Sequence, residues 1–331
     1  MQRGRHRTRS VLAVPGQRKI GRAGVAAGRA PLGLTVPDEP DLGRCHGTYD
    51  ARMSRRDFEA PVRNGVLRGW VDGDGPRVLL LHGGPGMSFT YMDEVADELL
   101  DGYLVATYQQ RGLAPSSLDG PFDVATHVED IGGVIDALGW ERATLVGNSW
   151  GGHLALHAAV ALGNRLDGVL CIDPLGAVGD GGEKEFEAAM FARTPADVRE
   201  KAEALDARAM AGEGTPEDAL EGLRLVWPAY YADWTAAHEM PSTMTLSVDA
   251  YPQTFGSLHE ELPRLSAALP SVTVPVGFLA GGSSPMPVTA STDTAAAIPG
   301  AWTEVVQDAG HFLWLEKPGR VRAALDRLAA G

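Results

Sequence analysis

Cysteine is scarce in this chain of 331 residues, which contains only Cys45 and Cys171. The two lie far apart and match neither a metal-ligand spacing nor a disulfide framework, so we expect a reducing, cytoplasmic setting. Long apolar runs are also missing. Val11 to Val14 is too short for the apolar core of a signal peptide, and no stretch approaches membrane-spanning length. The sequence therefore predicts neither a secretory signal nor a membrane span.

Basic residues are few outside the first part of the chain. Residues 1–52 hold ten Lys and Arg against four Asp and Glu, whereas residues 53–331 hold nineteen against thirty-nine. Phosphate contacts need an excess of Lys and Arg, which the longer part lacks. We therefore expect no nucleic-acid partner and no anionic membrane, and favour a small-molecule or short-peptide substrate.

The basic head, residues 1–52, is predicted to be a disordered extension. A nucleic-acid arm and a targeting peptide are the alternatives. Periodic structure begins just after Met53. We therefore expect either Met1 or Met53 to be the true start of the natural chain.

From about residue 57, short β-rich runs alternate with longer helical ones, which is typical of an α/β fold with a mostly parallel sheet. Phe58–Val62 and Val66–Val71 predict a hairpin around Asn64-Gly65. Buried parallel strands are continuous apolar runs. Further strands are predicted at 77–81, 103–108, 143–147, 166–172, 274–280 and 302–307, and helices at 124–138, 150–162 and 318–330.

The alternation stops between about residues 176 and 269, where Glu- and Ala-rich helical segments take over. We predict that residues 53–175 and 270–331 form the core and that 176–269 form a helical cap over the active site. An ordinary helical subdomain with its own aromatic core is the alternative. Exposure of the aromatics of this segment could support a homodimer. The candidate substrate-binding aromatics are Trp227, Tyr230, Tyr231 and Trp234.

The segment from Gly147 to Gly151, Gly-Asn-Ser-Trp-Gly, lies at a predicted strand-to-helix junction. It matches the nucleophile elbow G-x-S-x-G in the context that gives that pattern its meaning. Small residues are needed around such a serine because the turn is sharp and strained. Ser149 is therefore the candidate nucleophile.

A glycine-rich loop, His82-Gly83-Gly84-Pro85-Gly86, follows a predicted strand. Glycines let backbone N–H groups approach a substrate oxygen closely, and a tetrahedral oxyanion needs two such donors held in place. We assign the two donors to the N–H groups of Gly84 and of Trp150, the residue after the nucleophile. A plain tight turn is the alternative.

The candidate general base is His311, in Asp308-Ala309-Gly310-His311-Phe312. It falls on a loop after the last predicted strand, which suits the chain order serine, acid, histidine. His82, His153 and His157 are interpreted as loop or helix-packing residues.

Four motifs together make the sequence resemble the proline iminopeptidase branch of the α/β-hydrolases, over about residues 57–331. The resemblance implies an α/β-hydrolase fold with a mostly parallel sheet of about eight strands flanked by helices, a helical cap insertion, and hydrolysis without cofactor or metal. Iminopeptidases typically hold the substrate's free α-amino group with cap glutamates, a part that Glu239 and the acidic cap surface could play. The motifs are His82-Gly83-Gly84-Pro85-Gly86, Gln110-Arg111-Gly112, Ser149-Trp150-Gly151-Gly152 and Gly310-His311.

The catalytic acid departs from the pattern of that family, because Ser284 stands where the acid is expected. A serine cannot supply the negative charge that stabilises an imidazolium. Asp173, at the end of the predicted strand 166–172, is the favoured acid; Asp180 and a site without any acid are the alternatives. Asp130 and Asp136, on a predicted helix, are interpreted as solvated or capping charges.

These residues predict a serine hydrolase that cleaves an ester or amide bond, including the N-terminal prolyl bond of a peptide, through an acyl-enzyme. Two alternatives remain open. One is a non-hydrolytic or tailoring enzyme of secondary metabolism built on the same fold, because a fold does not fix a reaction. The other is a ligand-binding member of the fold without turnover.

Overall fold

The computed structural model describes residues 55–211 and 213–330, so the predicted extension of residues 1–52 lies outside the described part of the chain. In these two ranges, eight strands form one sheet in the order β1-β2-β4-β3-β5-β6-β7-β8. They are β1 (Arg56–Val62), β2 (Gly65–Gly73), β3 (Arg77–Leu81), β4 (Leu104–Gln109), β5 (Ala143–Asn148), β6 (Leu166–Ile172), β7 (Val276–Gly281) and β8 (Trp302–Val306).

The sheet is antiparallel only at one edge. β1 pairs with β2 and β2 with β4 in antiparallel fashion, and the pairs from β4 to β8 are all parallel. The predicted hairpin lies where expected, and Asn64 adopts the left-handed conformation that its turn requires, with φ 64°. The predicted mostly parallel sheet of about eight strands is confirmed.

Helices cover both faces of this sheet. Along β3, Leu79 and Leu81 contribute to one core cluster and Val78 and Leu80 to the other, as the two-residue period of a strand requires. Three helices that the pattern did not predict, α1, α8 and α9, also pack here. The helices of this layer are α1 (Asp93–Leu99), α2 (Val124–Ala137), α3 (Trp150–Ala161), α8 (Val288–Ala296), α9 (Leu313–Glu316) and α10 (Arg320–Ala330).

Between β6 and β7 the described residues form a helical insertion of four α-helices. α5 packs against α6, whereas α7 packs against α2 and α3 of the sheet layer. Leu258, Leu262 and Leu265 of α7 belong to the main core cluster. The last helix of the insertion is thus anchored in the core. The four helices are α4 (Glu183–Arg193), α5 (Ala196–Met210), α6 (Pro216–Val226) and α7 (Ala250–Ala268).

Candidate active site

Ser149 lies in the sharp turn between β5 and α3, with φ 56° and ψ −121°. A residue with a side chain rarely adopts this conformation, and such strain is concentrated at functional sites. The turn fits only because its flanking residues are glycines. A Cβ on Gly147 would lie 2.3 Å from the carbonyl oxygen of Gly151, and a Cβ on Gly151 would lie 2.1 Å from that of Leu81. The N–H of Ser149 donates to the carbonyl of Ile172 at 3.0 Å, which ties the turn to β6.

His311 and Asp173 are brought together under this turn. Nδ1 of His311 lies 2.6 Å from Oδ2 of Asp173, and both side chains are buried. The N–H of Gly281 donates to Oδ1 of Asp173 at 2.8 Å, and the hydroxyl of Ser284 donates to Oδ2 at 2.5 Å. The buried carboxylate therefore has three hydrogen-bond partners: Nδ1 of His311, the N–H of Gly281 and the hydroxyl of Ser284.

Of the two candidate carboxylates, Asp173 is the one whose side chain contacts His311. Asp180 lies on the loop before α4, where its carboxylate pairs with Lys184 at 3.1 Å. The hydrogen bond from Lys184 is the largest cause that lowers the pKa of Asp180. Ser284, in the slot where the family pattern has its acid, hydrogen-bonds to the carboxylate of Asp173.

The glycine-rich loop after β3 lies beside Ser149. The N–H of Gly83 donates to the hydroxyl of Tyr91 at 2.6 Å, and that hydroxyl donates to Oδ1 of Asn148 at 3.0 Å. Gly84 adopts φ +122° and lines the same cavity as Ser149. Trp150 is the first residue of α3, so its N–H has no acceptor within the helix. Gly84 and Trp150 can therefore both present N–H groups to the cavity.

Buried polar side chains support this loop from below. The N–H of Gln110 donates to Nε2 of His82 at 3.0 Å, and its side-chain amide donates to the carbonyl of His82 at 2.8 Å. Its side-chain oxygen accepts the indole N–H of Trp150 at 2.9 Å. Burial lowers the pKa of His82 to about 4, which keeps the imidazole neutral. The sequence did not single out Tyr91, and Gln110 entered only as part of the motif Gln110-Arg111-Gly112, because the contacts of both side chains depend on pairings between distant loops.

Asp130 is not the solvated or capping charge that its helical position predicts. Its carboxylate is buried and accepts two hydrogen bonds from Arg111, at 2.7 and 2.5 Å. The guanidinium of Arg111 is buried too. The interpretation was wrong because a helical pattern does not show that an arginine 19 residues earlier reaches the same face. Asp136 pairs with Arg165 at the surface, as expected of a solvated charge.

A cavity of about 690 Å³ opens above Ser149 and His311. Trp227 and Tyr230 line it, and the ring of Tyr230 lies 5.3 Å from that of His311. Tyr231 and Trp234, also predicted to bind substrate, are not among the described residues that line the cavity. Tyr231 is buried and stacks on the imidazole of His238, and Trp234 packs against a small cluster of the insertion.

Carboxyl groups outnumber cationic side chains around this cavity. Burial, with a smaller contribution from Glu203, raises the pKa of Asp206 to about 7. Arg199 is the lining residue with a permanent positive charge. Glu239, considered for amine binding, is exposed and lies outside the described lining residues. The acidic lining residues are Glu183, Glu187, Glu203, Asp206, Asp218 and Asp249.

Within residues 55–211 and 213–330, no group of three or more His, Cys, Asp or Glu side chains is arranged to hold a metal ion. In the same part of the chain, every helix is too short or too polar to cross a membrane.

Residues 78–324 match the alpha/beta hydrolase family. The chain is 26% identical to epoxide hydrolase A of Mycobacterium tuberculosis over 77% of this chain and 91% of that protein. It is 39% identical to the proline iminopeptidase of Lactobacillus delbrueckii subsp. lactis, over only 24% of this chain and 29% of that protein.

Solved structures show the same fold. VinJ superimposes with a TM-score of 0.65 at 21% identity, over 83% of this chain and 98% of that one. The proline iminopeptidase of Mycobacterium smegmatis superimposes with a TM-score of 0.59 at 22% identity, again over 83% and 98%. The chain therefore belongs to the alpha/beta hydrolase family, with the proline iminopeptidases among its relatives.

Proposed function

We propose that this hydrolase is a serine hydrolase, which cleaves an ester or amide bond through an acyl-enzyme. Ser149 is the nucleophile, His311 the general base and Asp173 the acid. The N–H groups of Gly84 and Trp150 form the oxyanion hole. The observation that carries the proposal is the placement of a strained serine and a carboxylate-bound histidine at one cavity.

The contact between Nδ1 of His311 and Asp173 determines which nitrogen of His311 can act as the base. Nδ1 faces Asp173 at 2.6 Å, so Nε2 is the atom left to take the proton of the serine hydroxyl. Oγ of Ser149 attacks the substrate carbonyl carbon as that proton moves, and the carbonyl π electrons pass to oxygen. When the tetrahedral intermediate collapses, the protonated His311 gives its proton to the leaving alcohol or amine. Water, deprotonated by the same histidine, then cleaves the acyl-enzyme and regenerates Ser149.

Two N–H groups stabilise the negative oxygen that forms in both steps. The N–H of Gly83 is already bonded to Tyr91, which leaves Gly84 as the donor from that loop. The N–H of Trp150 adds the positive end of the α3 dipole. Loss of one such donor lowers kcat by about 10²–10³.

The helical insertion acts as a cap that selects the substrate. Its residues Trp227 and Tyr230 supply aromatic surface, and Phe186 and Met190 add apolar surface to the same cavity. Such walls suit a small molecule or short peptide with an apolar acyl group. The excess of carboxylates around the cavity supports an acyl group that carries a free amine, as in the N-terminal prolyl residue of a peptide, over an anionic one.

Labelling with a fluorophosphonate probe, read out by intact mass, tests this proposal. We expect one adduct on the wild-type protein and none on Ser149→Ala. The matched control is Ser247→Ala, at another serine that lines the cavity, which should still be labelled. Turnover of a neutral ester and of a prolyl amide on the same samples then separates esterase from peptidase.

Each outcome has a definite meaning. A wild-type protein that stays unlabelled and turns over neither substrate contradicts the proposal and favours a ligand-binding role. Labelling at Ser149 together with acyl transfer to an added alcohol or amine, rather than to water, would make the protein a transferase of the same fold.

A further inference from the structure

The carboxylate of Asp173 is held by a residue that does not belong to the catalytic triad. The hydroxyl of Ser284 donates to Oδ2, the same oxygen that faces Nδ1 of His311. Ser284 is fixed in turn, because its hydroxyl oxygen accepts the N–H of Met286 at 3.0 Å. A single hydroxyl thus sets the direction in which the shared carboxylate oxygen points.

The loop that carries Ser284 is held from the opposite side by Arg193, the last residue of α4 in the insertion. The guanidinium donates to the carbonyl oxygens of Ser283 at 2.7 Å and Ser284 at 2.9 Å. It also donates to those of Tyr231 at 3.2 Å and Ala229 at 3.5 Å. Each of these four bonds ends on a carbonyl oxygen of the main chain. The planar, multivalent guanidinium joins the insertion to the loop after β7.

The charge of Arg193 reaches the catalytic acid. Burial lowers the pKa of Arg193, and the negative charges of Asp173 and Glu316 act in the opposite direction. A half-buried cation bonded only to carbonyls keeps its full charge, and its field is less screened than it would be at the surface. It therefore weakens the negative potential that Asp173 presents to His311.

The stretch 229–232 of the insertion also contacts residues 310–311, on the loop that carries His311. The N–H of His311 donates to the carbonyl of Tyr230 at 2.7 Å. Glu316 joins the two segments, because one of its oxygens accepts the N–H of Ala232 at 3.0 Å and the other that of Gly310 at 2.6 Å. Both halves of the Asp173–His311 pair are therefore anchored to the short stretch 229–232 of the insertion.

We propose that Arg193 and Ser284 are positioning residues for the Asp173–His311 pair, through which the helical insertion fixes the direction of the catalytic acid. This inference rests on the proposed serine hydrolase function. It gives the insertion a second role besides enclosing substrate. Loss of the hydrogen bonds from Arg193 to residues 283–284 would leave the carboxylate of Asp173 less firmly positioned, even when the cavity walls stay intact.

Four variants test the two residues. Ser284→Ala removes the hydroxyl and Ser284→Thr keeps it. Arg193→Gln removes the charge, and Arg193→Lys keeps the charge but cannot bond several carbonyls at once. The matched control is Arg224→Ala, at an exposed arginine of α6 that pairs with Glu221. For each protein we would measure kcat, KM, the pH profile of kcat/KM, the melting temperature and the rate of fluorophosphonate labelling.

We expect kcat of Ser284→Ala and of both Arg193 variants to fall roughly 10- to 100-fold with little change in KM, because a misaligned catalytic group costs rate rather than binding. Ser284→Thr and Arg224→Ala should stay near wild type. Arg193 and Glu316 carry charge beside the pair, and the ring of Tyr230 lies 5.3 Å from that of His311. Loss of the positive charge in Arg193→Gln should also change the pH profile of kcat/KM, and Arg193→Lys, which keeps that charge, should retain the wild-type profile.

A purely structural role predicts a different result. If the variants melt at lower temperature but the folded protein keeps its kcat and its pH profile, the inference is wrong. The same conclusion follows if Ser284→Ala equals wild type. A wild-type protein that is not labelled at Ser149 would instead overturn the proposed function, so the two failures can be told apart.

Discussion

Nδ1 of His311 lies 2.6 Å from Oδ2 of Asp173, although 138 residues separate the two along the chain. Asp173 directly follows β6, which lies between β5, the strand that leads to Ser149, and β7 in the sheet. Its backbone adopts φ 44°, a strained conformation for a residue with a side chain. The N–H of Asp173 donates to the carbonyl of Leu279 at 2.7 Å, which fixes this turn against β7.

Replacement of the acid should abolish most of the activity. We expect Asp173→Asn to lower kcat by about 10⁴, because an asparagine leaves His311 in the wrong tautomer and cannot stabilise the imidazolium. Fluorophosphonate labelling of Ser149 should slow in parallel. The control is Asp180→Asn, at the surface carboxylate that pairs with Lys184, which should keep wild-type kcat. The reverse result, a loss confined to Asp180→Asn, would assign the acid to the loop before α4.

The choice of the carboxylate that pairs with His311 is the point that the sequence patterns left open. Ser149 and His311 each stand in a short motif at a predicted strand end, so local patterns suffice to single them out. The acid has no such motif, and which carboxylate reaches His311 depends on the order of strands in the sheet. The sequence indicated that Ser284 could not be the acid. Only the three-dimensional arrangement shows that Ser284 donates a hydrogen bond to Asp173.

The strands and three of the six helices of the sheet layer, α2, α3 and α10, were predictable, because each is a continuous apolar or amphipathic run. The insertion was not predictable in the same detail. Tyr231 and Trp234 could not be distinguished from Trp227 and Tyr230 by residue type. Trp227 and Tyr230 lie on one short 3₁₀ helix, whereas Tyr231 follows it and Trp234 begins another, and this difference is not visible in the residue types.

The hydroxyl of Tyr91 should support the oxyanion loop, residues 82–86, which carries the proposed oxyanion donor Gly84. It accepts the N–H of Gly83 and donates to Asn148, and burial is the largest cause that raises its pKa above the usual range. Tyr91→Phe leaves two buried polar groups without this partner, which should cost about 1–3 kcal/mol of unfolding free energy. Because Gly83 precedes a proposed oxyanion donor, kcat should fall too. Urea unfolding and ester kinetics on the same variant check both effects, and an unchanged kcat would separate Tyr91 from the oxyanion loop.

The buried pair Arg111–Asp130 should show strong coupling. Asp130→Ala leaves the guanidinium of Arg111 buried without its carboxylate, which should lower the free energy of unfolding by about 3–5 kcal/mol. Removing both charges in Arg111→Met plus Asp130→Ala should cost less than the sum of the two single replacements. A double-mutant cycle by chemical denaturation measures the coupling. Additive losses would mean that the two side chains do not depend on each other. The control is Asp136→Ala, whose partner Arg165 stays in contact with solvent.

Two neutral histidines, the buried His153 and the half-buried His157, should make the protein less stable in acid. Burial lowers the pKa of His153 to about 4 and that of His157 to about 3, and their Nε2 atoms lie 3.3 Å apart. An unfolded histidine takes up a proton below about pH 6.5, which the folded one does not. Stability is therefore complete above pH 6.5 and falls as the pH drops toward 4, by at most about 1.4 kcal/mol per pH unit for each such histidine.

Denaturant unfolding of His157→Gln between pH 5 and 8 checks this effect. The variant should lose less stability than wild type between pH 6.5 and 5, and the two curves should run parallel above pH 7. His238→Gln, at an exposed histidine, should keep the wild-type slope. Equal slopes for all three proteins would show that the acid sensitivity lies elsewhere.

Asp206 should make the binding of amine substrates depend on pH near neutrality. Burial and, second, the charge of Glu203 raise its pKa to about 7, so the carboxyl is mostly neutral below pH 7 and mostly charged above it. Asp206 lines the cavity that Ser149 and His311 share. If the substrate carries a cationic amine, KM should fall by up to about fivefold as the pH rises from 6 to 8, a modest change because the carboxyl is half exposed. A neutral ester should show no such change.

Two variants isolate the carboxyl that is responsible. Asp206→Asn should give a KM for the amine substrate that no longer changes between pH 6 and 8. Glu203→Gln removes the second cause of the raised pKa, so the fall in KM should move to lower pH while its size is retained. These shifts must appear in KM and not in kcat, since Asp206 is not among the groups that act on the reacting carbonyl. If Asp206→Asn keeps the wild-type pH dependence, the amine is bound by another of the cavity carboxylates, and Glu183 and Glu187 would be the next to replace.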